Sequence, residues 1–339
     1  MASSSRAFVS SRLPGSRFKL AITVTARHSF EILCTISRKH EARPNEPDTS
    51  KAHSLHNPRV NGESLQTLCG RLSTPLRVID IGARWGIASQ WQILGESVEA
   101  YGFEPDPEEC DLLNSAAPSN VRYFPLALGS SNRTATLHIT REPACSSLYP
   151  PKPELGTRIP ELACALPSHT EPAVLHRLDD WKRDNLVGPV SYVKLDTQGS
   201  EIDILQGGLT TLSDAQVVEI EVSFNPMYEG CPLFGDVDRF MRSQGFVLWR
   251  FVNETHYSSD PIANADIRST DVLSFDSAPF PSVRGGGQLY WCNAIFARAE
   301  LAPASPARLE AEQVVRAACV ALACGLNDLA REVLGKGIV

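Results

Sequence analysis

The sequence predicts an α/β fold of the Rossmann-like kind, a mostly parallel β-sheet covered by helices on both faces. From residue 76 onward, short apolar and β-branched runs alternate with helical stretches, the pattern of repeated strand–helix units. The apolar runs are continuous, as in strands that are buried on both faces. The chain has 339 residues, 42% of them hydrophobic and 21% charged, which is the composition of a globular protein.

The alternating region predicts seven strands and four helices. The strands cover residues 76–81, 98–103, 121–128, 191–195, 217–222, 245–252 and 289–297, and the helices cover 86–94, 107–115, 201–206 and 235–243. In such a sheet, ligands bind beyond the carboxyl ends of the strands, near the point where the strand order reverses. Functional residues are therefore expected in the loops that follow the strands.

Three segments depart from this alternation, which leaves residues 76–300 as the predicted α/β domain. Residues 1–75 predict a disordered or targeting-like extension, since residues 1–30 contain no Asp or Glu but five Lys or Arg. A wrongly assigned start is the alternative. The proline-rich residues 129–189 predict an insertion, either a lid over a pocket or a surface excursion. Residues 301–339 predict a helical hairpin that packs on the body or on a second copy of the chain, as in a homo-oligomer.

Charge and cysteine content restrict the function classes. Residues 1–76 hold 11 Lys or Arg and 5 Asp or Glu, a charge of +6, so the total of −7 leaves −13 on the rest of the chain. An acidic body disfavours nucleic acid and anionic membrane, and no apolar run reaches the ~18–20 residues of a transmembrane helix. The nine cysteines include no Cys-x-x-Cys pair, which argues against a zinc module and for reduced thiols. We expect a small-molecule substrate, no metal and a cytoplasmic location, with an organelle as the alternative location.

The first motif follows the first predicted strand. Asp80, Gly82 and Gly86 form a D-x-G-x-x-x-G run between a strand and a helix. Gly82 permits a tight turn and the close approach of a ligand. A carboxylate at Asp80 would repel a pyrophosphate but would accept a hydrogen bond from an ammonium group. The motif therefore favours a cationic nucleoside ligand over a dinucleotide.

Two further motifs follow later strands. Glu104 ends the second strand, 24 residues after Asp80, a separation that suits hydrogen bonds to ribose hydroxyls. Residues 194–201, Lys-Leu-Asp-Thr-Gln-Gly-Ser-Glu, leave the fourth strand and carry Asp196 and Glu201. These carboxylates are candidates for a base or for a ligand-orienting group. For Glu201, an N-terminal charge on the next helix is the alternative.

Taken together, these segments resemble the FkbM-type S-adenosylmethionine-dependent methyltransferases in order and spacing over residues 76–298. The matching segments are 78–86, 101–105, 127–129, 178–179, 194–201, 205–207 and 245–246. The resemblance implies the Rossmann-like class I methyltransferase sandwich, with a seven-stranded, mostly parallel sheet and an antiparallel last strand at 289–297. It also implies S-adenosylmethionine as cofactor and the O-methylation of a hydroxyl on a sugar or natural-product-type molecule.

The resemblance also assigns roles to the residues of the motifs. It implies that the Asp80–Gly86 loop holds the methionine part of the cofactor, that Glu104 holds the ribose, and that Asp106 and Leu126 border the adenine. An oxygen acceptor calls for a base, for which Asp196 is the first candidate, Glu201 the second and Glu221 the third. The cofactor-binding set is thus Asp80, Gly82, Gly86, Glu104, Asp106 and Leu126, and the catalytic set is Asp196, Glu201 and Glu221.

Two features of the chain differ from the family pattern and keep rival functions open. Asn293 stands where many relatives have Asp, and the bulky Arg84 and Trp85 stand in the first loop. A nicotinamide-dependent oxidoreductase would share the glycine loop and the ribose acid, but it would need G-x-G-x-x-G where this chain has Arg84. A nucleoside-binding or scaffold protein that retains the fold without the chemistry is the second alternative.

Overall fold

The computed structural model describes residues 59–60, 63–92, 94–258, 270–274, 279–283 and 287–336. Its strands are β1 Arg59–Val60, β2 Glu63–Ser64, β3 Leu76–Ile81, β4 Val98–Phe103, β5 Val121–Phe124, β6 Ala127–Leu128, β7 Arg133–Thr140, β8 Pro167–His176, β9 Tyr192–Leu195, β10 Val217–Ser223, β11 Phe246–Tyr257, β12 Thr270–Ser274, β13 Pro279–Val283 and β14 Gln288–Arg298. Residues 1–58, which include most of the predicted extension, lie outside the described part.

Ten α-helices are described, and they lie between or after the strands. They are α1 Leu65–Cys69, α2 Ser89–Gln92, α3 Pro107–Ala116, α4 Pro153–Arg158, α5 Leu178–Asp184, α6 Glu201–Gly207, α7 Leu209–Asp214, α8 Phe234–Ser243, α9 Ala311–Ala323 and α10 Asn327–Leu334. In this part of the chain, no helix is both long enough and apolar enough to cross a membrane.

The main sheet has nine described strands in the order β12-β13-β11-β14-β10-β9-β3-β4-β5. Strands β10, β9, β3, β4 and β5 are parallel, whereas β14 runs antiparallel to both β10 and β11. The seven strands from β11 to β5 confirm the predicted fold class, including the antiparallel last strand. The chain leaves β3 towards β4 and later returns to β9 on the other side of β3, so the switch point lies between β3 and β9.

Helices cover both faces of the sheet, which explains the continuous apolar strands. On one face, Leu76, Val78 and Val98 pack with residues of α1, α2, α9 and α10. On the other face, Ile79, Val193 and Leu195 pack with residues of α5 to α8. Each fully buried Leu, Ile or Val side chain stabilises the fold by about 1.5–3 kcal/mol relative to an exposed one.

Helices from both ends of the described chain pack into the core of the α/β domain. Leu65, Leu68 and Cys69 of α1 are buried in the core, so the folded part begins before residue 76. The C-terminal helices α9 and α10 form the predicted hairpin, and their apolar residues, among them Val314 and Leu329, are buried in the core of the same chain. The apolar positions that suggested a second subunit are therefore covered by the body.

Residues 129–189 form more regular structure than the sequence predicts. Strands β6, β8 and β7 form a separate three-stranded sheet, in that order. Residues 167–172 of β8 are exposed, and the strand contains Pro167 and Pro172, so it shows no buried periodicity from which a strand could be predicted.

The predicted strand 121–128 is split at Pro125 into β5 and β6, which belong to different sheets. The predicted helix 86–94 is reduced to α2.

Candidate active site

The parallel register brings charged residues of three neighbouring strands side by side. Asp80 of β3 lies opposite Lys194 of β9, and Lys194 lies opposite Glu219 of β10. Two residues further along the chain, Asp196 comes directly after β9, and Glu221 lies on β10. The sheet therefore gathers the predicted residues of the first and third motifs at the carboxyl ends of the central strands, beside the switch point.

The loop after β3 turns sharply across the end of the sheet. The amides of Gly82 and Ala83 both donate to the carbonyl oxygen of Phe103, at 3.0 and 2.9 Å. Gly82 has φ +83°, and a Cβ atom at this position would lie 1.9 Å from the carbonyl oxygen of Asp196. Only glycine fits this turn, because a side chain would meet the backbone of the β9 loop. The first and third motifs are therefore in direct contact.

Gly86 closes the same loop under milder constraints. Its φ is +81°, but an added Cβ atom would lie no closer than 3.3 Å to a neighbour, the hydroxyl of Tyr123. That hydroxyl accepts a hydrogen bond of 2.8 Å from the amide of Ile87. Tyr123, which was not predicted as a site residue, thus fixes the start of the segment that leads to α2.

Glu104 is a buried carboxylate at the end of β4, with 5% of its surface exposed. Its Oε1 accepts a hydrogen bond of 2.9 Å from the amide of Asp106 and lies 3.7 Å from a guanidinium nitrogen of Arg84. Burial raises the pKa of Glu104, while the Asp106 amide and Arg84 oppose the rise. Arg84, the bulky residue of the first loop, is therefore the electrostatic partner of the predicted ribose acid.

The two predicted adenine-side residues have structural contacts of their own. Asp106 is the N-cap of α3, where its Oδ1 accepts from the amides of Glu108 and Glu109 at 3.0 and 3.4 Å. Its Oδ2 lies 3.4 Å from Arg84. Leu126 is half-buried between β5 and β6, where it packs against the core on the α5–α8 face. A cofactor role for these two residues remains a prediction.

Lys194 is the cation at the centre of the site. Its Nζ lies 3.6 Å from Oδ1 of Asp80 and 3.5 Å from Oδ2 of Asp196. Burial by itself would lower the pKa of Lys194, but the charges of Asp80 and Asp196 outweigh it, so the pKa is raised and the ammonium stays charged. Burial also raises the pKa of Asp80 to about 6, against the attraction of Lys194.

The candidate bases have different surroundings. Asp196 is half-buried, and Glu221 accepts a hydrogen bond of 2.8 Å from Nε2 of Gln198. Burial and then the charge of Asp196 raise the pKa of Glu221 well above the usual range of a carboxyl. The buried Glu201 accepts from the amides of Thr197 and Gly199, at 2.8 and 3.2 Å, and from the Thr197 hydroxyl at 3.0 Å. Glu201 is the first residue of α6, so these bonds favour the alternative in which it is an N-terminal charge on that helix.

Asn293, the departure from the family pattern, binds a carboxylate of the neighbouring strand. Its Nδ2 donates a hydrogen bond of 2.6 Å to Oε1 of Glu219, whose Oε2 accepts one of 2.7 Å from the Tyr192 hydroxyl. Glu219 thereby accepts hydrogen bonds on both of its carboxylate oxygens.

No group of three or more His, Cys, Asp or Glu residues within the described ranges could hold a metal ion.

The residues that form this site belong to a segment that matches a known protein family. Residues 80–248 match the family model described as the methyltransferase FkbM domain. The chain belongs to the FkbM methyltransferase family. The match begins at Asp80 and includes every predicted site residue. It confirms the resemblance inferred from the motifs, and with it S-adenosylmethionine as the cofactor.

Individual relatives are more distant. The chain is 26% identical over 163 residues to the 2-O-methyltransferase NoeI of Sinorhizobium fredii, a match that covers 45% of this chain and 65% of NoeI. Among solved structures, it resembles a methyltransferase FkbM of Methylobacillus flagellatus KT, with 13% identity, coverage of 67% of this chain and 45% of the other, and a TM-score of 0.36. It also resembles a magnesium protoporphyrin IX methyltransferase of Synechocystis PCC 6803, with 11% identity and a TM-score of 0.31. That match covers 69% of this chain and 74% of the other. Because both TM-scores are low, the fold assignment depends on the strand order.

The residues at the carboxyl edge fit a cofactor that carries an amine and a ribose. Oδ1 of Asp80 is buried and accepts no hydrogen bond from the described residues, which leaves an acceptor for an ammonium group. Glu104 supplies a second buried carboxylate at the end of the adjacent strand. Because Gly82 has no side chain, a cofactor could lie close to the backbone between Asp80 and Glu104.

The sequence motifs did not predict every residue of this site. Gln198 and Tyr228 join Asp196 and Glu221 in one hydrogen-bond network, and neither was predicted. The one available signal for Gln198 was its place before Gly199 in a loop that leaves a strand. Tyr228 gave no signal, because it lies 32 residues beyond Asp196 along the chain.

Proposed function

We propose that this chain transfers a methyl group from S-adenosylmethionine to a hydroxyl oxygen of a small molecule, a sugar or a natural-product-type compound. The observation that carries the proposal is the contact between the Gly82 turn and the backbone of Asp196. It brings the predicted cofactor loop against the half-buried carboxylate that is the first candidate base. The name of the relative NoeI, a 2-O-methyltransferase, supports oxygen as the acceptor atom.

In this proposal, the β3–β4 side of the site binds the cofactor. Asp80 accepts from the ammonium group, Glu104 accepts from the ribose hydroxyls, and the Gly82–Gly86 loop follows the methionine part. Asp106 and Leu126 border the adenine. When bound, S-adenosylmethionine supplies an electrophilic methyl group on a sulfonium that is its own leaving group, so the protein contributes mainly alignment and electrostatics.

The β9–β10 side acts on the acceptor. A hydroxyl is a weak acid, so a base that removes its proton as the new bond forms increases the rate. Asp196 is the first candidate for this role, and two observations support it: its side chain is 30% exposed, and its Oδ2 lies 3.5 Å from Nζ of Lys194. Glu201 remains the second candidate and Glu221 the third.

Cofactor binding is tested by calorimetric titration of the full-length protein with S-adenosylmethionine and, in parallel, with NAD. We expect micromolar affinity for S-adenosylmethionine and a loss of about 100-fold in Glu104→Ala, because a buried acceptor of ribose hydroxyls is removed. Glu99→Ala is the matched control: Glu99 is the second residue of the same strand, is paired with Arg77, and lies at the opposite end of that strand from Glu104. Equal losses in the two variants would contradict the ribose role, and NAD binding alone would favour the oxidoreductase.

The acceptor is tested with methyl-labelled S-adenosylmethionine and a panel of monosaccharides, glycosides and hydroxylated polyketides. Label recovered as a methyl ether, and reduced at least about 100-fold in Asp196→Asn, supports base-assisted O-methylation. Label recovered on nitrogen or carbon would overturn the choice of oxygen. Tight cofactor binding without transfer to any panel member would favour the scaffold protein.

A further inference from the structure

Gln198 occupies an unusual backbone conformation at the end of β9. Its φ is +58°, in the left-handed region that residues with a Cβ rarely adopt. Its carbonyl oxygen accepts a hydrogen bond of 2.6 Å from the hydroxyl of Ser147, which belongs to the inserted residues 129–189. Such strained residues persist where the surrounding structure holds them, and they concentrate at functional sites.

The side-chain amide of Gln198 lies between two carboxylates. Its Nε2 donates to Oδ1 of Asp196 at 3.2 Å and to Oε2 of Glu221 at 2.8 Å. Its Oε1 lies 2.9 Å from the hydroxyl of Tyr228, which also lies 2.7 Å from the carbonyl oxygen of Cys145. The reverse orientation of the amide would place its oxygen against two carboxylates, so the chemistry of the neighbours fixes the orientation.

The side-chain amide of Gln198 is an uncharged hydrogen-bond donor to two carboxyl groups, those of Asp196 and Glu221. The described charged and titratable groups around the pair come from every adjoining element: Lys194 on β9, Asp80 on β3, Glu219 on β10, Glu201 on α6, Cys145 and Cys164 in the insertion, Tyr228 after β10, Tyr257 on β11 and Cys292 on β14. Among these groups, Lys194 is the cation. Asp196 therefore receives Lys194 on one oxygen and Gln198 on the other.

We propose that Gln198 is a positioning residue for methyl transfer: it orients Asp196 against Glu221 and ties this pair to the inserted segment through Ser147 and Tyr228. The inference rests on the proposed function, since it assumes that Asp196 is the base. Gln198 does not itself accept a proton. Its side-chain N–H groups determine which carboxylate oxygens are free, because they donate to Oδ1 of Asp196 and to Oε2 of Glu221.

The first test requires no acceptor. The midpoint of thermal unfolding of the full-length protein is measured from pH 5 to 9 for the wild type, Gln198→Ala and Gln198→Gly. Both variants remove the amide, and they differ in the left-handed strain that only glycine relieves. We expect both to lose midpoint temperature increasingly as the pH rises, because Glu221, whose pKa burial raises, then ionises beside Asp196 without the amide donor. A pH-independent loss would show a merely structural role and would overturn the proposal.

The second test uses Gln198→Glu, which keeps the size and the Oε1 acceptor but removes both donors. With methyl-labelled S-adenosylmethionine and the best acceptor of the saccharide panel, we expect kcat at pH 7 to fall about tenfold or more and the acid limb of the pH–rate profile to move to higher pH. The affinity for S-adenosylmethionine should stay within about threefold of wild type, since the β3–β4 side is unchanged. A profile that superimposes on the wild type would overturn the proposal.

The two tests separate the failure of this inference from the failure of the proposed function. If the wild type binds S-adenosylmethionine but methylates no hydroxyl, the proposed acceptor is wrong, and the stability titration still decides whether Gln198 controls the carboxylate pair. If the wild type methylates hydroxyls and the variants show unchanged pH dependence, the function stands and the role of Gln198 is refuted.

Discussion

The two sides of the candidate site differ in how their carboxylates are satisfied. On the β3–β4 side, Oδ1 of Asp80 is buried without a hydrogen-bond donor among the described residues, 3.6 Å from Lys194. On the β9–β10 side, the chain itself supplies the donors: Glu201 accepts three hydrogen bonds from its own loop, and Gln198 bridges Asp196 and Glu221. The first side keeps hydrogen-bonding capacity, whereas the second uses it internally.

This difference separates binding from chemistry. A buried acceptor without a donor destabilises a protein, so it is retained mainly where a ligand completes it. A carboxylate held by several donors is fixed in position, as a reacting group needs to be. The difference therefore agrees with the proposal that the β3–β4 side binds the cofactor and the β9–β10 side acts on the acceptor. Variants of the two sides should lose different properties.

The largest effect is expected from Gly82→Ala, at the contact between the two sides. The new Cβ atom would lie 1.9 Å from the carbonyl oxygen of Asp196, at a φ of +83°. We expect the free energy of unfolding to fall by at least about 3 kcal/mol, because backbone displacement adds to the ~1–2 kcal/mol of left-handed strain. The measurement is urea unfolding.

Gly86→Ala is the matched control for that variant. Its φ of +81° gives the same strain, but the nearest atom to the new Cβ is 3.3 Å away. We expect a loss of only about 1–2 kcal/mol. Equal losses in the two variants would show that the two loops do not constrain each other, and the comparison between two touching sides would fail.

A smaller effect is expected for the pH dependence of stability in Asp80→Asn. Burial raises the pKa of Asp80 to about 6 from its ordinary value of 3.8, so the folded state binds the proton more tightly than the unfolded state. The stability contributed by this group is full below the ordinary pKa and is lost as pH rises through about 6. The asparagine variant should therefore gain up to about 3 kcal/mol relative to wild type between pH 4 and 7.

Urea unfolding at each pH checks this expectation. Asp184→Asn is the control, because it removes the same charge from a side chain that is 64% exposed. Its difference from wild type should not vary over this pH range in the same way. A flat difference for Asp80→Asn would mean that Lys194 already satisfies Asp80, and the contrast between the two sides would weaken.

The sequence predicted the fold better than the contacts of the site. Apolar strands and the loops that follow them are local signals, and they identified β3, β4, β9 and β10 and the charged residues near their ends. The bond from Tyr228 to Gln198 and the covering of the core by α9 and α10 depend on residues far apart in the chain, which no local pattern records. For Asp106, the family resemblance implied a place beside the adenine, but the aspartate before Pro107 is also the N-cap of α3.

The smallest effect is expected from Arg84→Ala, which tests whether Arg84 controls the pKa of Glu104 on the β3–β4 side. Arg84 lies 3.7 Å from Glu104 and 3.4 Å from Asp106, and it opposes the rise that burial causes in the pKa of Glu104. Without Arg84, that pKa rises further, so Glu104 is protonated at higher pH. The affinity for S-adenosylmethionine should stay within about threefold of wild type at pH 8 and weaken up to about tenfold at pH 6. Calorimetry at the two pH values checks this, with Arg84→Lys as the charge-preserving control. Because an ionised carboxylate is the better acceptor for ribose hydroxyls, an equal effect at both pH values would show that Arg84 acts through packing and not through Glu104.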